Sequence, residues 1–293
     1  MSLDFVPATI ATLIILLILW RVLSTASSKR QKIILTSILL TLGLISTQLI
    51  NFNLRFKFLL MLGAGSFALT FWALLEGFME GVHRKRFPFN LAKAIILLIL
   101  PTFFTLAVAS FYFLLPVRWL TRIPVAIGFG LIYYLLLLAQ NIFSIASIRT
   151  IPLYRAASTL SLVCTVLTAF LIFVVIHSFD LLFIWNGLLI LILSFLLTLQ
   201  MLWTVEMGEI PSKKLILQSQ IISLSLGEIA LSLSFWPLNH IMWSLILTSV
   251  MYSLLGVVTH FMRGKLTRRI GWEYVVVSGF FLLVAFLTTS WVG

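Results

Sequence analysis

The sequence predicts an all-α, polytopic integral membrane helix bundle of about ten transmembrane helices, and three observations carry that expectation. Apolar residues make up 61% of the chain and charged residues 10%, whereas about a quarter of a soluble domain is charged. Apolar runs of roughly 20 residues, long enough to cross about 30 Å of hydrocarbon, follow one another with only short connections. Lysine and arginine gather in every second connection, as cytoplasmic loops require.

Taken in order, the first span runs from Leu3 to Trp20 with its basic residues after it, at Arg21, Lys29, Arg30 and Lys32. That charge order predicts an anchor with an outside N-terminus and not a cleaved signal peptide. The second span, Ile33 to Ile50, is bounded by those cations and by Arg55 and Lys57; the third, Phe58 to Val82, ends in Arg84, Lys85 and Arg86. The fourth, Ala94 to Leu115, contains Pro101, which removes a backbone donor and predicts a kink. The fifth and sixth, Ile123 to Ile148 and Ala156 to His177, flank Arg149 and Arg155. The seventh and eighth, Leu181 to Val205 and Leu215 to Phe235, are separated by a turn with Lys213 and Lys214. The ninth and tenth, Ile241 to Met262 and Tyr274 to Trp291, enclose Arg263, Lys265, Arg268 and Arg269.

Sixteen of the twenty basic residues thus fall on one side, leaving Arg55, Lys57, Arg118 and Arg122 on the other. This places both termini outside and the protein, as a multi-pass protein, in the plasma (cytoplasmic) membrane. Residues 1–293 form a single transmembrane domain with no room for a soluble one. The net charge of +12 sits in small groups at helix ends, so anionic headgroups are the expected partner of the cytoplasmic loops, not nucleic acid. Complex formation, with itself or another protein, leaves no mark in the sequence. Cys164 is the only cysteine, which excludes an intrachain disulfide and a cysteine metal cluster; it reads as a small packing residue. Most tryptophans fall near span ends, at the depth they favour, and Trp72 is the exception.

The third span carries the most polar groups. At 3.6 residues per turn, Trp72, Glu76, Glu80 and His83 share one face, while Gly63, Ser66, Thr70, Ala73, Gly77 and Gly81 form an opposite strip suited to close helix packing. Ionisable groups within hydrocarbon are costly and point to function, so Glu76 reads either as a hydrated carboxylate balanced by the basic cluster or as a group that handles a proton or cation, with Glu80 and His83 at the cytoplasmic boundary. Arg84 is the nearest cation along the chain. Glu80-x-x-His83 is half of a carboxylate-bridged metal motif whose second half is missing, so no metal is expected, and no cofactor. Glu228 lies in the outer half of the eighth span, in a stripe with Gln218, Ser225 and Ser232 that is expected to face protein or a cavity. His177 and His240 are its candidate titratable partners. Gln140, Asn141, Ser225 and Thr165, with Gln200, Ser158, Ser161 and Thr168, are candidate cavity-lining groups; Ser and Thr also simply bond backbone carbonyls.

No phosphate-binding glycine loop, zinc-binding His-Glu-x-x-His or nucleophile elbow occurs. The expected function is a secondary, proton-coupled transporter of a small solute or lipid-like molecule. A non-catalytic scaffold, sensor or complex subunit is the alternative. An enzyme acting on a lipid-linked substrate, with Arg118, Trp119 and Arg122 holding a phosphate, ranks third.

Overall fold

A computed structural model describes residues 28–47, 54–83, 91–116, 118–146, 153–208 and 210–289, except the side chains of residues 76–83, 119 and 146. All regular structure among these residues is helical. Nine helices follow in order: α1 Lys29–Ser46, α2 Arg55–His83, α3 Leu91–Leu114, α4 Trp119–Ala146, α5 Tyr154–His177, α6 Phe183–Glu206, α7 Lys213–Leu233, α8 His240–Met262 and α9 Arg268–Thr288. They correspond to the second to tenth expected spans; the first falls outside the described residues. Eight of them, α2 to α9, are long and apolar enough to cross a membrane. The protein is an integral, multi-pass membrane helix bundle.

Helix starts are set by side chains that satisfy the first free backbone donors. Ser28 and Gln31 form a capping box on α1, and Ser212, Asn239 and Thr267 accept from the backbone of α7, α8 and α9. α5 begins at Leu153 without a side-chain cap. α3 continues through Pro101, whose own carbonyl accepts from the Ser66 and Thr105 hydroxyls.

α5 is the central helix, packed by α3, α4, α6 and α8. α1 and α2 lie on one flank against α4 and α3; α7 lies outside α6; α9 rests chiefly on α8. The core is filled by Leu97, Leu136, Phe173, Leu197, Trp203 and Leu247, each fully buried.

The expected small-residue strip of the third span does pack. Ser66, Thr70 and Ala73 are buried, and a β-carbon at Gly63 would come within 2.8 Å of Leu106 on α3. The strip does more than admit a neighbour. The Tyr133 hydroxyl of α4 lies 2.6 Å from Thr70 Oγ1 and 3.0 Å from Ser66 Oγ. Ser66 Oγ is 2.9 Å from Thr105 Oγ1, which donates to the Pro101 carbonyl at 2.9 Å. This fully buried chain of hydroxyls joins α2, α3 and α4 where lipid could not hydrogen-bond them. α6 and α7 meet even more closely, at Gly187 and Gly227: a β-carbon on Gly187 would lie 2.5 Å from Leu231 Cγ and 3.3 Å from the Gly227 carbonyl.

Two stability effects follow. Tyr133→Phe should cost about 1 kcal/mol, because Thr70 and Ser66 lose a shared partner, and a thermal melt in detergent equal to the parent's would contradict the network. Gly187→Leu should lower the melting temperature through overpacking of about 1–3 kcal/mol, whereas Gly279→Leu, whose β-carbon would meet nothing within 4 Å, should leave it near the parent value.

Candidate functional site

Of the expected site residues, His177 and His240 are brought together. They end α5 and begin α8, 63 positions apart, and their Nδ1 atoms stand 2.7 Å from each other. One nitrogen must carry the hydrogen and the other accept it. The His177 ring also tilts against Trp243, with centroids 4.6 Å apart. Trp243, in the first turn of α8, is fully buried and its indole nitrogen has no hydrogen-bond partner among the described residues, so this tryptophan supports the histidine pair from inside the bundle while lying near a helix end as expected. Trp203 is buried in the same way, donating to the Gly208 carbonyl at 3.0 Å, whereas Trp185 and Trp272 are exposed near helix ends.

Glu228 is not beside them. It lies on the exposed face of α7, with Ser232, and Gln218 and Ser225 are only half-buried. The stripe was expected to face protein or a cavity; among the described residues its Gln218 end is partly enclosed, with Gln218 Oε1 buried, while Glu228 and Ser232 are exposed. The reason is the close α6–α7 crossing, which turns Gly227, Ser223 and Ser219 inward because only small residues fit there. Ser232 donates to the Glu228 backbone carbonyl at 3.0 Å.

Trp72 is half-buried on α2, and the Lys32 ammonium of α1 stands 5.4 Å from the centre of its ring, a cation–π contact. A cation from the start of α1 thus reaches the face that by helical register also carries Glu76, where the chain order had pointed only to Arg84. The backbone positions of Glu76, Glu80 and His83 belong to α2; their side chains, and Arg84, lie outside the described residues.

The cavity-lining candidates divide. Thr165 donates to the Ser161 carbonyl at 2.7 Å and Thr168 to the Cys164 carbonyl at 2.6 Å, so both satisfy themselves on α5. Gln140 and Gln200 are fully buried, yet neither atom of either amide finds a hydrogen-bond partner, and Ser161 Oγ is equally unpartnered. Asn141 is half-buried. Leaving such groups bare costs about 1–3 kcal/mol each, so Gln140, Gln200 and Ser161 are the polar capacity that the packing leaves open. They lie toward the end of the bundle where Tyr154 meets Phe143 and donates to the Thr204 carbonyl at 2.5 Å.

At that end sits a cluster of which only Ser158 was among the sequence-based candidates. Arg263, just after α8, donates to Ser158 Oγ at 3.3 Å and also reaches the Tyr154 hydroxyl. His260 lies 2.9 Å from the Gly256 carbonyl and 3.5 Å from the Tyr274 hydroxyl. Ser253 meets Ser278 at 2.7 Å and donates to the Tyr274 carbonyl at 3.0 Å, fastening α9 to α8. Beyond Ser158, the only sequence signal for this cluster was the basic group after the ninth span, which reads the same as any cytoplasmic loop. No group of three or more His, Cys, Asp or Glu residues able to hold a metal occurs among the described residues.

No protein of curated function and no solved structure matches the chain. One family does: its model, described as a protein of unknown function (DUF5656), matches residues 43–288, the stretch from α1 to the end of α9, and the chain belongs to that family.

Proposed function

We propose that the protein is a secondary, proton-coupled transporter of a small solute or lipid-like molecule in the plasma membrane, with both termini outside. The observation that supports this reading is the His177–His240 contact. A neutral pair shares one N–H between the two rings, and a first added proton leaves an N–H···N bond intact. A second proton sets two donors and two like charges face to face, so the contact breaks. The junction of α5 with α8 therefore depends on proton count. His240 and, in the turn after α5, Asp180 are the titratable neighbours of His177.

α5 carries this junction at one end and Ser161 about 24 Å along the same helix. Gln140, Gln200 and Ser161 supply polar contacts for a solute in the other half of the bundle, the cytoplasmic half in this orientation. Glu76, with Glu80 and His83 beyond it, is the inner proton group on the α2 face that Trp72 and Lys32 mark. Glu228 takes no part in the proton route.

A scaffold or complex subunit is the second reading, favoured by the outward faces. Leu217, Ile221, Leu224 and Glu228 on α7 are exposed, and α9 buries only Ala285.

Reconstituted full-length protein under an imposed pH gradient should pass protons. The double variant His177→Gln/His240→Gln should lose at least about tenfold in rate, equivalent to about 1.4 kcal/mol, as should Glu76→Gln, while Glu228→Gln keeps the parent rate. No flux in the parent under any gradient would replace transport with the scaffold reading; parent-like flux in the double variant would remove the histidines from the mechanism.

A further inference from the structure

We propose that the end of the α5–α8 pair opposite the two histidines binds one anionic phospholipid, with the phosphate on Arg263 and an acyl chain in the groove between α5, α8 and α9. The proposal concerns binding and stands whether or not the protein transports anything.

The groove has a volume of about 480 Å³ and is lined by apolar residues including Leu162, Val166, Phe170 and Phe281. That volume lies within the range of sites that take drug-sized or lipid-like ligands, roughly 300–1,000 Å³. It is open at the side, because α9 packs chiefly on α8 and Val163 at its edge is exposed. In a membrane-spanning helix bundle, an opening there faces acyl chains. Two lining hydroxyls, on Thr248 and Tyr252, bond to no group among the described residues; the Thr248 side chain is 6% exposed.

The mouth of the groove is cationic and lacks a counter-charge. Arg263 touches the Ser158 and Tyr154 hydroxyls but no carboxylate among the described residues. Ser158 lies one helical turn, about 6 Å, before Leu162, the first α5 residue of the groove. The guanidinium is therefore held at the level where a headgroup sits when its chain enters the groove. Arg155, Lys265 and Arg268 add positive charge around it, while Arg269 is paired with Glu273 at 3.5 Å. A planar guanidinium bonds a phosphate through two donors, which a zwitterionic headgroup offers less readily because its own ammonium competes. Charge and apolar volume thus complement the two halves of one amphiphile.

The test is native mass spectrometry of the full-length protein in detergent, titrated with phosphatidylglycerol and phosphatidylcholine of identical chains and, separately, with glycerol phosphate. The parent should retain phosphatidylglycerol about fivefold over phosphatidylcholine, the factor for one basic residue near an anionic lipid. Arg263→Gln should abolish that preference, Arg263→Lys should keep part of it, and Arg269→Gln should leave it intact. Val166→Trp, which fills the groove, should reduce retention of both lipids. Thermal melts identify any variant that fails to fold, in which case the lysine variant and Val166→Trp decide. Equal retention of the two lipids by the parent, or parent-like preference in Arg263→Gln, overturns the proposal. Undiminished binding in Val166→Trp removes the chain from the groove and overturns it too. Saturation by glycerol phosphate at the lipid's concentration assigns the site to free phosphate esters and not to a lipid, and a shift of Val166→Trp from dimer to monomer assigns the groove to a second copy of the chain.

Discussion

Hydrocarbon offers no hydrogen bond, and this constraint orders the whole bundle. Almost every buried hydroxyl returns its hydrogen to its own helix: Thr165 to Ser161, Thr198 to Ser194, Ser219 to Leu215, Ser244 to His240. Other hydroxyls cross between helices: the Tyr133, Ser66, Thr70 and Thr105 chain binds three helices, Ser37 of α1 donates to the Gly130 carbonyl of α4, and Ser253 of α8 meets Ser278 of α9. Against that background a few buried polar groups without partners are conspicuous. Gln140, Gln200, Ser161 and Thr248 carry capacity that the fold itself does not use.

Ser161 lies on α5 and Thr248 on α8, and these two helices also meet through polar contacts at both ends. The pair is joined at one end by two imidazoles and at the other by Arg263 on Ser158, with an apolar groove alongside between the two junctions. Under the two proposals, one junction would respond to protons and the other to an anion. A device of this kind links the occupancy of one end to the geometry of the other, because α5 is a single rigid helix of 24 residues packed against four neighbours. The buried glutamines on α4 and α6 flank the same helix.

The helix bundle was legible in the sequence because hydrophobic run length and connection length both report on a fixed bilayer thickness. The small-residue strip around Ser66 was legible for a similar reason, since periodicity identifies a face. What periodicity cannot identify is which of two polar faces turns inward. On α7 the glycine at position 227 decided the matter by admitting α6, and Glu228 was carried outward with it. The histidine pair was half-legible: both residues were candidates at the same membrane level, but contact between positions 177 and 240 depends on tertiary packing. Arg263 was hidden by its company, because a cation in a basic loop gives no sign that it reaches back to Ser158. Tryptophan position left the burial of Trp243 unread, since closeness to a helix end measures depth and not burial.

The claim at the centre of this account is that one proton is shared between His177 and His240, tying α5 to α8. With only four histidines in the chain, nitrogen-15 NMR of histidine-labelled protein in lipid can test it directly, by the scalar coupling that passes between two nitrogens through an N–H···N hydrogen bond. A resolved coupling between the two Nδ1 atoms near neutral pH, lost in His240→Gln and lost again when acid loads the second proton, is the expected result. Two imidazoles that titrate independently, with no coupling at any pH, would contradict it.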